Sequence, residues 1–315
     1  MVLSMWDLIG AMEDALVRFS RRQVAQPLRS VVEVGLQKAF FGIMPAFIAD
    51  PPALGAKLVT VYPSNSAAGL PTHLATIVLL DSMTGELLSI ADGRFITEAR
   101  TAAVSAVSVK WLARENASTL AIIGSGVQAR SHLEAIALVR HLSAVRVWSP
   151  TAMHRDRFAR EMQPRVDAPI RVAASAQEAV DGADLVVVVT AAREPVIRRD
   201  WIRAGTHICA VGACRPDQRE LESALISSAR LIVDSRAGAL AEAGDIVIPI
   251  AEGTLDASHV AAELGEVLLG TVAGRTSDAE TTIFKSLGMA VEDVAAAHLA
   301  YTKAAERGLG RGFVL

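Results

Sequence analysis

Cysteine is scarce in this chain: 315 residues hold two, Cys209 and Cys214. Two thiols make no disulfide framework, and their spacing matches no zinc-ligand pattern, so a reduced, cytosolic (cytoplasmic) setting is expected. Neither sign of charge dominates. The 31 Lys and Arg against 34 Asp and Glu give a formal charge of −3, which supplies no electrostatic drive toward nucleic acid or an anionic membrane. Leu58 to Leu80 lacks charged residues, but Pro63, Asn65, Pro71 and His73 interrupt it, so it is not a membrane span. The N-terminus carries Asp7, Glu13 and Asp14 within an apolar pattern and reads as an amphipathic helix, not a secretory signal. There is no internal repeat and no low-complexity segment. Hydrophobic residues make up 51% and charged ones 21%, the profile of a soluble globular protein. The length suggests about two domains, each large enough to bury a core.

Two grammars divide the chain. Up to residue 114, helix and strand signals mix. Trp6, Ile9, Met12, Leu16 and Phe19 recur at helical spacing. Strand patterns follow at Ser30–Val34, Ala39–Pro45, Leu54–Tyr62, Ala75–Asp81 and Glu86–Asp92, the last two joined by a turn at Asp81–Gly85. Thr97–Leu112 reads as an Ala/Val-rich helix. From Ser118 onward, strands alternate with helices: Thr119–Ile123, Val145–Trp148, Ile170–Ala173, Asp184–Val189, His207–Val211 and Leu231–Val233, with Val127–Val139 the clearest helix between them. That alternation predicts an α/β fold, a doubly wound parallel sheet. An Ala-rich helix, Met289–Glu306, closes the chain. The expected domains are 1–114 with 290–315, and 115–289.

Strand, Gly124-x-Gly126-x-x-Ala129, helix is the sharpest motif. Gly124 permits a tight turn. Gly126 lets a pyrophosphate approach the backbone at a helix N-terminus, where free N–H groups and the dipole favour an anion. This assigns Gly124, Ser125, Gly126, Val127 and Gln128 to a dinucleotide. An acid after the second strand would grip a ribose hydroxyl and favour NAD. Here Trp148 is followed by Ser149, Pro150 and Thr151, and no acid stands before Asp156. Ser149 and Thr151 with Arg155 suit a 2′-phosphate, so NADP(H) is preferred and NAD(H) remains open. Strand-end logic adds Thr190, Val211 and Gly212, with Asp234 a weaker member.

With the fingerprint placed, the chain resembles the ornithine cyclodeaminase/mu-crystallin family over nearly its whole length. The matching pieces are Gln26-Pro27-Leu28-Arg29, Met44-Pro45-Ala46, Lys57, Asp92-Gly93 with Thr97, Arg100 to Ala103, Gly124 to Ala129, Ala210 to Ala213, Arg219-Glu220-Leu221, Glu263 to Glu266 and, most diagnostic, Thr282 to Asp293. The resemblance implies a Rossmann domain plus an α+β substrate and dimerisation domain, assembled as a homodimer. It places Arg29, Lys57 and Arg100, with Met44, around a substrate carboxylate, and Ser286, Leu287 and Gly288 in a loop reaching the nicotinamide. Guanidinium and ammonium donors suit a desolvated carboxylate. Arg100, read as the start of a helix, is poorly placed for the helix dipole. The alternative is three surface bases that snorkel.

Two departures bear on the reaction. Where the cyclodeaminases of the family carry acids, this chain has Gly42 and Cys214, and neither is a carboxylate base. The resemblance is therefore nearest the ketimine reductases. It implies NAD(P)H-dependent reduction of a small cyclic imino acid, Δ1-pyrroline-2-carboxylate or Δ1-piperideine-2-carboxylate. Cyclodeamination of ornithine, reductive amination of a 2-oxo acid, and a ligand-binding role without catalysis remain as alternatives. His73 is a candidate hydrogen-bond or proton donor to the substrate nitrogen, and Cys214 a weaker nucleophile candidate.

Overall fold

The computed structural model describes residues 2–35 and 39–312; residues 313–315, read above into the first domain, lie outside it. Two compact units divide the chain, Met1–Arg100 with Met289–Leu315, and Thr101–Gly288.

The first unit opens with α1 (Met5–Ser20), whose N-cap Ser4 and Asp7 form a reciprocal capping box. Leu8, Ile9, Met12, Ala15 and Leu16 make its buried stripe, while Trp6, read into the stripe, is exposed. Then come β1 (Val24–Ala25), β2 (Ser30–Val34), β3 (Ala39–Ala49), β4 (Pro52–Val61), β5 (His73–Leu80) and β6 (Leu87–Asp92). Among the described residues these form a six-stranded sheet ordered β1-β3-β4-β5-β6, with β2 also on β3; every pairing is antiparallel. Alternation gives the sheet two faces. Gly42, Met44, Ala46 and Ile48 of β3 are buried on one, together with Lys57 and Val59 of β4. The C-terminal helix α10 (Ala290–Glu306) packs on β3, β4, β5 and α1. Phe47, Leu74 and Ile90, of the opposite parity, stay exposed. Helix α2 (Gly93–Leu112) runs across the division between the units.

The second unit continues β7 (Thr119–Ile123), α3 (Val127–Val139), β8 (Ala144–Trp148), α4 (Ala152–Met162), β9 (Ile170–Val172), α5 (Ala176–Val180), β10 (Leu185–Val188), β11 (His207–Ala210), α6 (Ser223–Ser228), β12 (Arg230–Val233), α7 (Arg236–Glu242), α8 (Gly244–Ala251), β13 (Val260–Glu263), α9 (Leu264–Leu268) and β14 (Thr282–Lys285). Among the described residues the sheet has eight strands in the order β13-β12-β14-β11-β10-β7-β8-β9, all parallel. The strand order reverses between β7 and β10, which creates the crevice where such folds bind ligands. Six of these strands are legible in the sequence; β13 and β14 are not. Each is four residues long and ends on a charge, Glu263 or Lys285, so neither shows an apolar run or alternation. Both faces of the sheet are covered. Leu133, Ile136 and Phe158 pack on Ile122 and Val187, while Leu225 and Ile226 share a second cluster with Val186, Val188 and Ile283. Each such side chain contributes about 1.5–3 kcal/mol.

Two histidines are buried in this unit. His132 Nδ1 donates to the Gln128 carbonyl at 2.7 Å, so Nε2 is the acceptor for the Ser105 hydroxyl at 2.9 Å. Burial pushes His132 down to about 4. His207 falls to about 3, through burial first and then the charges of Arg275 and Arg140. Because the unfolded chain binds these protons more readily, each histidine stabilises the fold fully above pH 6.5. That stabilisation is lost as the pH falls toward 4, at about 1.4 kcal/mol per pH unit for each. Melting curves from pH 7 to 4.5 should show a steep fall, with a shallower slope in His132→Gln. Equal slopes for the two proteins would contradict a neutral, buried His132.

Candidate active site

The first unit gathers the carboxylate-binding candidates on the covered face of its sheet. Lys57 lies opposite Met44 on β3 and Ile77 on β5. His73 shares the parity of Ile77, four residues along β5, opposite Val61. Lys57 and Arg100 are 2% and 3% exposed, so they do not snorkel. Charges this deep require counter-charges, and the first turn of α10 supplies them. Lys57 Nζ lies 2.5 Å from Asp293 Oδ2; Arg100 Nε lies 2.9 Å from Asp293 Oδ1, and Arg100 Nη1 lies 2.6 Å from Glu292 Oε2. Both carboxylates are fully buried. Arg29 stands half-buried one residue before β2, near enough for its charge to act on Lys57.

Arg100 is not at a helix start. It sits well inside α2, so the dipole is a minor influence and the two acids of α10 are what hold it. Glu292 and Asp293 belong to the quoted run that ends at Asp293, yet nothing in the sequence marks them as partners of Arg100. Two acids in the first turn of an Ala-rich helix read as dipole complements. Desolvation brings Lys57 down to about 8, helped by Arg100 and Arg29 and opposed by Asp293. Burial, then Lys57 and Arg100, bring His73 down to about 4. His73 is therefore neutral at pH 7: it can donate a hydrogen bond but holds no spare proton.

The second unit holds the dinucleotide candidates. Gly124 follows β7 at φ +117°, and a Cβ there would meet the Val189 carbonyl oxygen at 2.7 Å, so the crossing at the strand reversal is closed to larger residues. Gly126 caps α3 without a side-chain hydrogen bond, and nothing lies within 4 Å of where its Cβ would be. That open approach to a helix N-terminus suits a phosphate. Val127 is half exposed there, and Gln128 Oε1 is buried without a hydrogen-bond partner. Ser125 Oγ donates to Ser149 Oγ at 2.8 Å, and Arg155 Nη1 donates to the Ser149 carbonyl at 2.9 Å. Thr151 caps α4, but its hydroxyl makes no capping bond.

The strand ends carry a polar network. The Thr190 N–H and hydroxyl donate to Glu220 Oε1 at 2.6 and 2.8 Å; the N–H groups of Gly212 and Ala213 donate to Oε2 at 2.7 and 3.1 Å. Val211, which precedes Gly212, is buried. Lys285 Nζ, at the end of β14, pairs with Asp245 Oδ2 at 3.0 Å. Asp234 Oδ2 accepts the N–H groups of Leu287 and Gly288 at 2.6 and 2.7 Å, so it shapes that loop. Ser286 Oγ is buried without a partner, an orphan that a bound polar group would satisfy. The Cys214 thiol is exposed and donates weakly to the Gly212 carbonyl at 3.6 Å. Asp245 is not marked by the sequence; the Arg219-Glu220-Leu221 motif and the Thr282–Asp293 run contain Glu220 and Lys285 without giving either a role. An open helix N-terminus, a strand-order reversal and an orphaned hydroxyl fit a dinucleotide. Among the described residues, no group of His, Cys, Asp or Glu could hold a metal.

Comparison with known proteins extends this geometry. The chain is 44% identical to the mouse ketimine reductase mu-crystallin over 297 residues, 93% of this chain and 91% of that protein. It superposes with a TM-score of 0.97 on the Thermococcus litoralis Δ1-pyrroline-2-carboxylate reductase solved with NADH and L-proline, at 42% identity, covering 99% of this chain and 97% of that one. An archaeal alanine dehydrogenase, solved as a dimer with bound NAD, superposes with a TM-score of 0.94 at 32% identity, covering 99% and 95%. The family model described as ornithine cyclodeaminase/mu-crystallin matches residues 1–308. The chain belongs to the ornithine cyclodeaminase/mu-crystallin family.

Proposed function

We propose that this protein reduces a cyclic ketimine carboxylate, Δ1-pyrroline-2-carboxylate or its six-membered homologue, to L-proline or L-pipecolate with NAD(P)H. The observation that carries the reading is the buried Lys57–Arg100–Asp293–Glu292 cluster. Both of its acids are already engaged by cations, and its guanidinium and ammonium donors suit a substrate carboxylate. Gly42 and Cys214 place no carboxylate where a cyclodeaminase needs one. The relatives named as ketimine and Δ1-pyrroline-2-carboxylate reductases support the same reaction.

A bound reduced nicotinamide supplies the hydride for the imine carbon. Lys57, Arg100 and Arg29 hold the carboxylate and fix the ring, with Met44 alongside. Lys57, protonated below about pH 8, also suits proton delivery to the ring nitrogen, with His73 as a neutral hydrogen-bond donor. Loss of the Lys57 proton removes charge from the carboxylate site, so kcat/KM should fall about tenfold per pH unit above 8. In Lys57→Arg, which stays charged, the residual activity should lack that fall. An identical alkaline limb in both proteins would assign the titration to another group.

On the cofactor side, residues 124–128, Thr190, Val211, Gly212 and 286–288 form the binding set. NADPH is preferred, because Ser149 follows β8 where an NAD enzyme carries an acid, with Thr151 and Arg155 close behind it; the solved relatives hold NADH or NAD. Absorbance at 340 nm with each imine and each cofactor tests substrate and preference together. Oxidation only with pyruvate and ammonia would transfer the reading to an amino-acid dehydrogenase acting by reductive amination.

The working form is a homodimer built on the uncovered sheet face. Leu74 and Ile90 are 45% and 53% exposed there, and a related alanine dehydrogenase is a dimer. Leu74→Asp with Ile90→Asp should convert a dimer to a monomer by light scattering. A dimer that survives both changes would place the interface elsewhere.

A further inference from the structure

Glu220 has no part in the chemistry above, yet it is fully buried in the loop after β11. One of its oxygens takes both donors of Thr190, beyond the end of β10. The other takes the N–H groups of Gly212 and Ala213, beyond the end of β11. These strands are neighbours in the sheet, so a single carboxylate ties two adjacent strand ends together. It is itself held from below. The N–H groups of Glu220 and Leu221 donate to Asp245 Oδ1 at 2.7 and 3.0 Å. Asp245 Oδ2 takes the Lys285 ammonium from β14, the strand on the other side of β11. The network thus spans the carboxyl ends of three adjacent interior strands, the side of such a sheet that receives ligands.

A buried ion is a costly way to stabilise a loop, and well-packed apolar residues often do as well. What the carboxylate adds is direction, because each of its four bonds fixes an N–H or O–H that would otherwise turn. We propose that Glu220 is a positioning residue for the cofactor, setting the ends of β10 and β11 in the form that receives its nicotinamide half. This rests on the cofactor reading above. Only the ionised form accepts all four donors, since a protonated carboxyl sets an O–H against one of them. Burial and Asp245 push Glu220 up to about 7, against the pull of Lys285 and the Thr190 donors. The charged groups facing it are Asp245 from α8 and Lys285 from β14, with the Cys214 thiol acting on Lys285.

The test is NADH binding by the full-length protein, followed by fluorescence from pH 6 to 8. NADH is used because the 2′-phosphate of NADPH titrates near pH 6. For the unaltered protein, Kd should rise about tenfold between pH 8 and pH 6, as expected for one group near 7. Glu220→Gln should bind at least about tenfold more weakly at pH 8 and show no such rise, with Glu220→Asp between the two. If Glu220→Gln fails to fold, Thr190→Val, which removes one of the four bonds, should still weaken binding severalfold. Unchanged affinity in these variants, or an acid rise that survives in Glu220→Gln, overturns the inference. The readout needs no imine, so failure to find a substrate leaves it intact. Failure of the unaltered protein to bind either NADH or NADPH overturns the cofactor reading and this inference with it.

Discussion

Arg100→Ala is expected to lower kcat/KM roughly a hundred- to a thousandfold, as loss of one well-placed donor does, and to lower stability by about 3–5 kcal/mol. The two effects have different origins. Arg100 bridges Glu292 and Asp293 while it is 3% exposed. Its removal leaves two buried carboxylates with Lys57 as the remaining short-range cation at Asp293, and that uncompensated charge is the stability term. The activity term comes from the substrate, whose carboxylate loses a planar, two-pronged donor. Arg100→Lys separates them. An ammonium there restores charge, so most of the stability should return; it lacks the fork, so kcat/KM should stay low. Full activity in Arg100→Lys would show that charge alone matters at this position.

Gly212→Ala should be nearly as severe, at the other end of the chemistry. A Cβ at 212 would lie 2.0 Å from the Thr190 carbonyl oxygen, 2.4 Å from Glu220 Oε1 and 2.5 Å from the Thr190 nitrogen. A methyl group has no rotamer to escape with, so the backbone beyond β10 or β11 must move and the Glu220 bonds must break. A loss of about 3 kcal/mol or more is expected, with NADH affinity down by more than tenfold. Gly126→Ala is the informative contrast. Its Cβ would enter open space, so the melting temperature should stay within a degree or two of the unaltered protein's, while a methyl group in the phosphate approach weakens NADH binding. Equal losses of stability in the two variants would contradict this division, in which one glycine serves backbone packing and the other the ligand.

These contrasts show what was legible in the residues. The dinucleotide turn was, because its information is local: a strand, two glycines with separate duties and a helix lie within about twenty residues. The bounds of β7 and α3 come straight from that pattern. Five of the six described antiparallel strands of the first unit were legible too, from apolar stretches bounded by turns; β1, two residues long, is too short to show a pattern. The counter-charges were not. Arg100 and its partners on α10 are 192 and 193 residues apart, and no periodicity relates positions so distant. The same holds for Glu220 and Asp245, and for β14, whose terminal Lys285 disguises a fully buried strand until Asp245 is seen beside it. Buried ion pairs escape pattern reading because each member, taken alone, looks like a surface residue.

Hydride transfer to an imine carbon, with the substrate held by its carboxylate, leaves a direct isotopic signature. It is tested by incubating the protein with Δ1-pyrroline-2-carboxylate and NADPH or NADH deuterated at C4 of the nicotinamide, on the face that is transferred, followed by mass spectrometry of the amino acid formed. Proline one mass unit heavier, with the deuterium on the α carbon, is the predicted result. Proline formed from ornithine, with no label taken from the cofactor and no reaction with the imine, would contradict it.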